Sequence, residues 1–218
     1  MLKRLSLAIA AVLLVFMLIS VANAQSSDTY WLNYYTNPTG APTTQVRIVN
    51  PGVQGAPVNP ATGLVSTAGY LCANVYMFDA HQELIECCSC PISPNGLLTF
   101  SVQANLLANP LTPAVPSTGV IKLVSSAPIS VTPNGVSPTS ATAVCDAGEI
   151  GPAPEVLTPD LRAWITHAQV VPAGFAITEA RLVDAPLSGA ESAFLPLACQ
   201  MARYLGSGFG QCTCPGTT

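Results

Sequence analysis

Glu86-Cys87-Cys88-Ser89-Cys90-Pro91 places three of the chain's eight cysteines within four residues. The other five, Cys72, Cys145, Cys199, Cys212 and Cys214, lie far enough away that pairing with them ties remote segments to this spot. In an extended segment successive side chains point to opposite faces. Cys88 and Cys90 therefore share one face and Cys87 takes the other. Cys212 and Cys214 share a face by the same rule. What the cluster does depends on the compartment, because only an oxidising one turns thiols into cross-links.

The N-terminus speaks to that. Met1-Leu2-Lys3-Arg4 is a short basic start, Leu5 to Val21 is apolar apart from Ser6 and Ser20, and Ala22-Asn23-Ala24 supplies small residues two apart. Together they predict a secretory signal over residues 1–24, removed on export. The competing reading is an uncleaved anchor, since the apolar run approaches the ~18 residues that begin to suggest a membrane span. Without the signal, residues 25–218 are enough for a single secreted β-rich domain with its own core. They keep five basic and eleven acidic residues, a net charge of about −6. With no basic stripe to neutralise phosphates, nucleic acid is not an expected partner. Membrane contact is expected only through the signal before cleavage.

All eight cysteines survive signal removal, and an even count in an exported chain favours disulfides. Sequence does not fix the connectivity. The expected pairing sends Cys88 and Cys90 to Cys212 and Cys214, joins Cys72 to Cys87 across the intervening hairpin, and leaves Cys145 with Cys199. A thiolate metal site is the rival, but no histidine lies at ligand spacing beyond the cysteines. No cofactor is expected.

Working outward, Tyr70 to Asp79 reads as the strongest strand. Leu71, Ala73, Val75 and Met77 alternate with Cys72, Asn74, Tyr76 and Phe78, and both sets include large apolar residues. Such a strand is expected at the centre of a sheet, covered on both sides. Glu83 to Cys90 returns beside it, and Leu97–Val102 and Gly119–Val124 follow as further strands. Thr44–Asn50 alternates as a half-buried strand, and Leu161–His167 with Phe175–Val183 reads as a hairpin turning at Pro172-Ala173-Gly174. The Pro-, Ser- and Thr-rich stretch of about 128–159 reads as a linker by composition, pinned to the domain if Cys145 is bridged. Ser188-Gly189-Ala190-Glu191 is a capping-box pattern opening one helix. Phe194, Leu197, Ala198, Met201, Tyr204 and Leu205 give that helix an apolar face, and Pro196 is expected to kink it or delay its start. The predicted fold is mainly β: a disulfide-stapled antiparallel β-sandwich-like domain with one C-terminal α-helix.

Candidate sites are few. Tyr30, Trp31, Tyr34 and Tyr35 lie in an aromatic segment that reads either as an edge strand packed on the core or as a surface on which sugar rings stack. Asp79, His81 and Glu83 sit at alternate positions and offer ligand types for a cation, although a hairpin turn explains the same residues. No G-x-S-x-G elbow accompanies the two histidines, and a lone His167 in a strand reads as structural. Gly206-Ser207-Gly208-Phe209-Gly210 follows a helix and lacks a lysine, so it reads as a helix stop.

Cys72-Ala73-Asn74-Val75-Tyr76-Met77-Phe78-Asp79, the Glu86–Cys90 core, Leu161-Arg162-Ala163-Trp164 and Ala176-Ile177-Thr178-Glu179 carry a resemblance. In motif order from Thr44 to Pro215 the chain resembles a group of uncharacterised secreted bacterial proteins with an E-C-C-S-C core and a closing C-x-C. The resemblance implies secretion and a shared fold, and no activity. The functional expectation is a non-enzymatic extracellular, cell-surface or periplasmic protein, structural or adhesive, whose partners are itself or other cell-surface components. The alternatives are a carbohydrate- or small-ligand-binding module and a secreted hydrolase around Asp79, His81 and Glu83.

Overall fold

The structure is a computed structural model that describes residues 28–55, 69–130, 143–151, 155–205 and 207–215. The signal expected over residues 1–24 lies outside the described residues, as do residues 131–142 and 152–154 of the Pro-, Ser- and Thr-rich stretch.

Two antiparallel sheets face each other. The larger contains β1 (Tyr30–Thr36), β3 (Leu71–Asp79), β4 (Leu84–Ile92), β6 (Thr118–Ser126) and β13 (Val183–Asp184), in the order β13-β1-β6-β3-β4. The smaller contains β2 (Gln45–Val49), β5 (Leu97–Ser101), β11 (Arg162–Val171) and β12 (Gly174–Arg181), in the order β12-β11-β2-β5. Short pairs β7 (Ile129–Ser130) with β8 (Ala143–Val144), and β9 (Ile150–Gly151) with β10 (Glu155–Val156), tie down the long connection. Among the described residues one α-helix, α1 (Gly189–Tyr204), follows the strands. The predicted fold class is the one observed.

The inner faces of the sheets make the main core. Trp31, Tyr35, Leu71, Val75, Met77, Ile121 and Leu123 from the larger sheet meet Val46, Ile48, Phe100, Ala163 and Ile165 from the smaller. Each set recurs every second residue, as side chains on one face of a strand must. The outer face of the larger sheet has a second core, in which Tyr30, Tyr76, Phe78, Cys87 and Val124 pack under Leu187, Leu195 and Cys199. β3 is buried at every position, as its two apolar sets predicted.

Strand Leu97–Ser101 ends one residue earlier than expected, because Val102–Leu106 winds into a single π-type turn. Ser101 caps that turn by accepting the Ala104 N–H at 3.0 Å.

Helix α1 begins at Gly189, with Ser188 as its N-cap accepting the Glu191 N–H at 3.1 Å. It runs through Pro196, so the proline neither delays its start nor ends it. The predicted apolar face is not the face that packs. Leu195, Pro196, Cys199 and Ala202 are buried against the sheet, whereas Phe194, Leu197, Met201, Tyr204 and Leu205 are exposed. Cys199 decides this orientation, because it is bonded to Cys87 on the sheet's outer face.

Candidate functional site

The bridges are Cys72–Cys145, Cys87–Cys199, Cys88–Cys212 and Cys90–Cys214, with Cα–Cα separations of 5.6, 5.9, 5.2 and 5.6 Å. Sending Cys88 and Cys90 to Cys212 and Cys214 is the arrangement expected from their shared face. Cys72–Cys87 and Cys145–Cys199 are corrected. In the hairpin Cys72 stands opposite Pro91 and Cys87 opposite Tyr76. That offset of four residues is about 13 Å along the strands, far beyond the roughly 7 Å between Cα atoms that a disulfide tolerates. Cys87 and Cys90 also have C-x-x-C spacing, but their side chains leave β4 on opposite faces and end on different partners. No cysteine is free among the described residues. Four closed bridges are the chemistry of an oxidising, extracellular or periplasmic environment.

The bridges also decide which strand edges are open. The outer edge of β4 is covered by the chain itself. Leu111 N–H donates to the Ile85 carbonyl at 3.1 Å, Cys87 N–H to the Gly210 carbonyl at 3.0 Å, and Cys212 N–H to the Cys87 carbonyl at 3.2 Å. Two disulfides lock the same tail onto the strand. At the far side of the other sheet the situation is reversed. β11 pairs with β2 only from Arg162 to Ile165, yet pairs with β12 out to the Val171–Gly174 turn. The β11–β12 ribbon therefore runs on past its sheet as a two-stranded arm, and among the described residues no strand covers the outer edge of β12. Val170, Val171, Phe175 and Ile177 are exposed on it.

Residues 145–151 and 155–157 are pinned across the outer face of the larger sheet. Tyr76 Oη donates to the Ala147 carbonyl at 2.6 Å. The buried Glu155 carboxylate accepts the Ser126 hydroxyl and, at 2.7 Å, the Asp146 N–H. Burial raises the Glu155 pKa against those hydrogen bonds. Arg203 of α1 pairs with Asp146 at 2.7 Å, so helix and segment hold each other.

The aromatic segment does not form a ligand platform. Tyr30, Trp31 and Tyr35 are buried, Trp31 and Tyr35 completely, and Tyr34 alone of the four is exposed. Strand alternation sends Trp31 and Tyr35 into the inner core and Tyr30 into the outer one. Tyr34 stacks on His167 with ring centroids 4.1 Å apart. His167 is itself buried, and burial lowers its pKa and favours the neutral ring.

Asp79, His81 and Glu83 form the β3–β4 turn. Asp79 Oδ1 accepts the His81 N–H at 2.8 Å and the Glu83 N–H at 2.9 Å. The Glu83 amide, with help from His81, holds the Asp79 carboxyl below its ordinary range. No group of three or more metal-ligating side chains occurs among the described residues. Beside the turn lies a notch of about 460 Å³, lined by Asp79, Ala80 and His81 and by Thr112–Thr118 across from them. Its threonine hydroxyls donate elsewhere, Thr112 to the Ala114 carbonyl and Thr118 to the Tyr35 carbonyl. Neither is poised as a nucleophile for His81.

Sequence reading missed Glu86, the acidic residue of the cysteine cluster. Its carboxyl is fully buried in the sandwich; Oε1 accepts the Asn109 N–H at 2.7 Å. Burial pushes its pKa from 4.5 to about 7. Its place in strict alternation with Cys88 and Cys90 was the available signal.

Fold and surfaces together define a disulfide-stapled antiparallel β-sandwich-like domain with exposed apolar side chains. No family model matches the chain, and no curated relative does either. Among solved structures, it is similar to one titled Crystal Structure of Thermotoga maritima 1070, with TM-score 0.38 and 9% identity, covering 73% of this chain and 96% of that one. Likeness at that level carries nothing over.

Proposed function

We propose that this protein is an exported, non-enzymatic structural or adhesive component that works through contact surfaces and associates along a strand edge. The observation that carries the reading is the β11–β12 arm. It extends past its sheet, it ends in an uncovered edge, and it presents Val170, Val171, Phe175 and Ile177 to solvent. An unprotected edge with apolar side chains is a template for adding another strand. The contrast with β4, whose edge is closed by its own tail, supports a functional use of the open one. Four disulfides suit a component that must keep its shape outside the cell.

Electron microscopy and size-exclusion of the oxidised mature chain test this. Ordered assemblies are expected at high concentration, and Ile177→Lys on the arm is expected to abolish them, since a charge on an edge blocks pairing. A chain that never forms particles larger than two copies would sink the reading.

The notch beside Asp79 and His81 favours a second reading, a small-ligand-binding module. Saturation-transfer NMR against a panel of simple sugars and polar small molecules tests it. Transfer that disappears in Asp79→Ala supports it, and a blank panel ends it.

A further inference from the structure

Helix α1 is apolar on two faces. Leu195, Cys199 and Ala202 face the sheet, and the opposite side carries Leu197 at 55% exposure, Met201 at 60%, Tyr204 at 92% and Leu205 at 72%, with Phe194 at 47% on its margin, its ring centroid 6.3 Å from that of Phe78. The helix has two charged residues, Glu191 and Arg203, and both are turned to the domain, Glu191 to Lys122 and Arg203 to Asp146. A solvent-facing helix places its charges outward and its apolar residues inward. This one does the reverse, and a helix apolar all round is normally covered all round.

We infer that the outward face of α1 is a homodimer interface, occupied by α1 of a second copy of this chain running antiparallel across a two-fold axis. Phe194, Leu197, Met201 and Tyr204 are spaced three, four and three apart, the seam of a coiled-coil contact. A two-fold axis requires the surface to complement itself. Setting Leu197 against Met201 of the other copy brings Phe194 against its Tyr204. Next to that position lies a groove of about 480 Å³ between α1 and Gly148–Gly151, lined on the helix by Ala193, Pro196, Leu197 and Gln200. It takes the ring of the incoming Tyr204. The helix stripe itself carries no charge to repel its copy, and the groove wall adds one charged residue, Glu149. The exposed parts of the five side chains come to about 650 Å², at about 200 Å² for a whole large side chain. A standard stable interface buries about 800 Å² per partner, and Ala190, Ala193 and the groove walls supply the remainder. A lipid surface fits less well. Membrane-lying helices carry lysine and arginine beside the apolar face, and the one basic residue of α1 is committed to Asp146.

Sedimentation velocity of the oxidised mature chain over a concentration series tests this, with Leu197→Glu plus Met201→Glu as the disrupting variant. Tyr204→Ala, at the most exposed position, is the milder one. At concentrations below the onset of strand-edge assembly, two-copy mass is expected for the unaltered protein and one-copy mass for the double variant, with the four-bridge map unchanged. Tyr204→Ala should raise the dimer dissociation constant roughly tenfold or more. Ile177→Lys on the arm should leave the dimer intact, so the helix contact and the strand-edge contact fail separately. The inference is overturned if the unaltered chain stays at one copy, or if both helix variants dimerise as tightly as the parent. It is equally overturned if the chain stays monomeric and cosediments with phosphatidylcholine vesicles.

Discussion

Cys87 and Cys88 are neighbours in the chain, and their sulfurs leave β4 in opposite directions, one to Cys199 in the helix and the other to Cys212 in the tail. A single peptide unit thus anchors both layers that cover the sheet's end. The helix side depends on the first of these bonds more than on any other single contact, because much of the helix's own apolar surface points away from the sheet.

Replacing Cys87 and Cys199 together by alanine should therefore loosen α1 selectively. The expected loss is about 2–5 kcal/mol for removing a native bridge. Hydrogen exchange should rise over Gly189–Tyr204 while β3 and β6 stay protected. Uniform loosening across both sheets would contradict the role given to this bond.

Gly119 should tolerate no side chain. It pairs with Tyr35 on one side and Asp79 on the other, and an added Cβ would lie 2.0 Å from the Phe78 carbonyl and 2.6 Å from Tyr35 Oη. Gly119→Ala should cost at least the 1–3 kcal/mol typical of overpacking. Urea denaturation measures it, and a loss below about 0.5 kcal/mol, the range of inert surface changes, would be inconsistent with this packing.

Stability should fall as pH rises. Glu86 ordinarily titrates at 4.5 and does so at about 7 in the fold, so the folded state binds its proton more tightly than the unfolded chain. That contribution is complete below about pH 4.5 and is lost as pH passes through 7. Glu155, also raised by burial, acts in the same direction, and His167, whose pKa burial lowers, acts in the opposite one. The melting temperature should decline between pH 5 and 8, and Glu86→Gln should flatten the decline. An unchanged slope in that variant would place the titrating group elsewhere.

Non-reducing peptide mapping should find Cys72–Cys145, Cys87–Cys199, Cys88–Cys212 and Cys90–Cys214. Free thiols in the mature protein would remove the cross-ties on which the sheet, segment and helix depend.

How far the sequence revealed this arrangement varied with the kind of rule involved. Alternation rules worked over short range: they placed Cys88 and Cys90 on one face with Cys212 and Cys214, and they put β3 between two covered faces. The Cys72 error came from register, which the turn at Asp79–Glu83 sets and composition does not show. For α1, periodicity located the helix and its apolar residues. Which face packs was not legible, because Phe194, Leu197 and Met201 outweigh the smaller Leu195, Cys199 and Ala202 that the disulfide holds inward. The aromatic segment read both ways, as a strand packed on the core or as a sugar platform, and burial of Tyr30, Trp31 and Tyr35 in two separate cores matches the packed strand.

Each bridge joins one of Cys72, Cys87, Cys88 and Cys90 to one of Cys145, Cys199, Cys212 and Cys214, with no native pair inside either group. A chain emerging from its N-terminus thus presents four thiols whose rightful partners have yet to be made, the last of them arriving 124 residues later. Oxidation that runs ahead of synthesis can join these early thiols only wrongly, so maturation must wait for the final residues or be repaired by disulfide exchange. A truncated chain that stops before Cys199 is left with one native bridge in place of four.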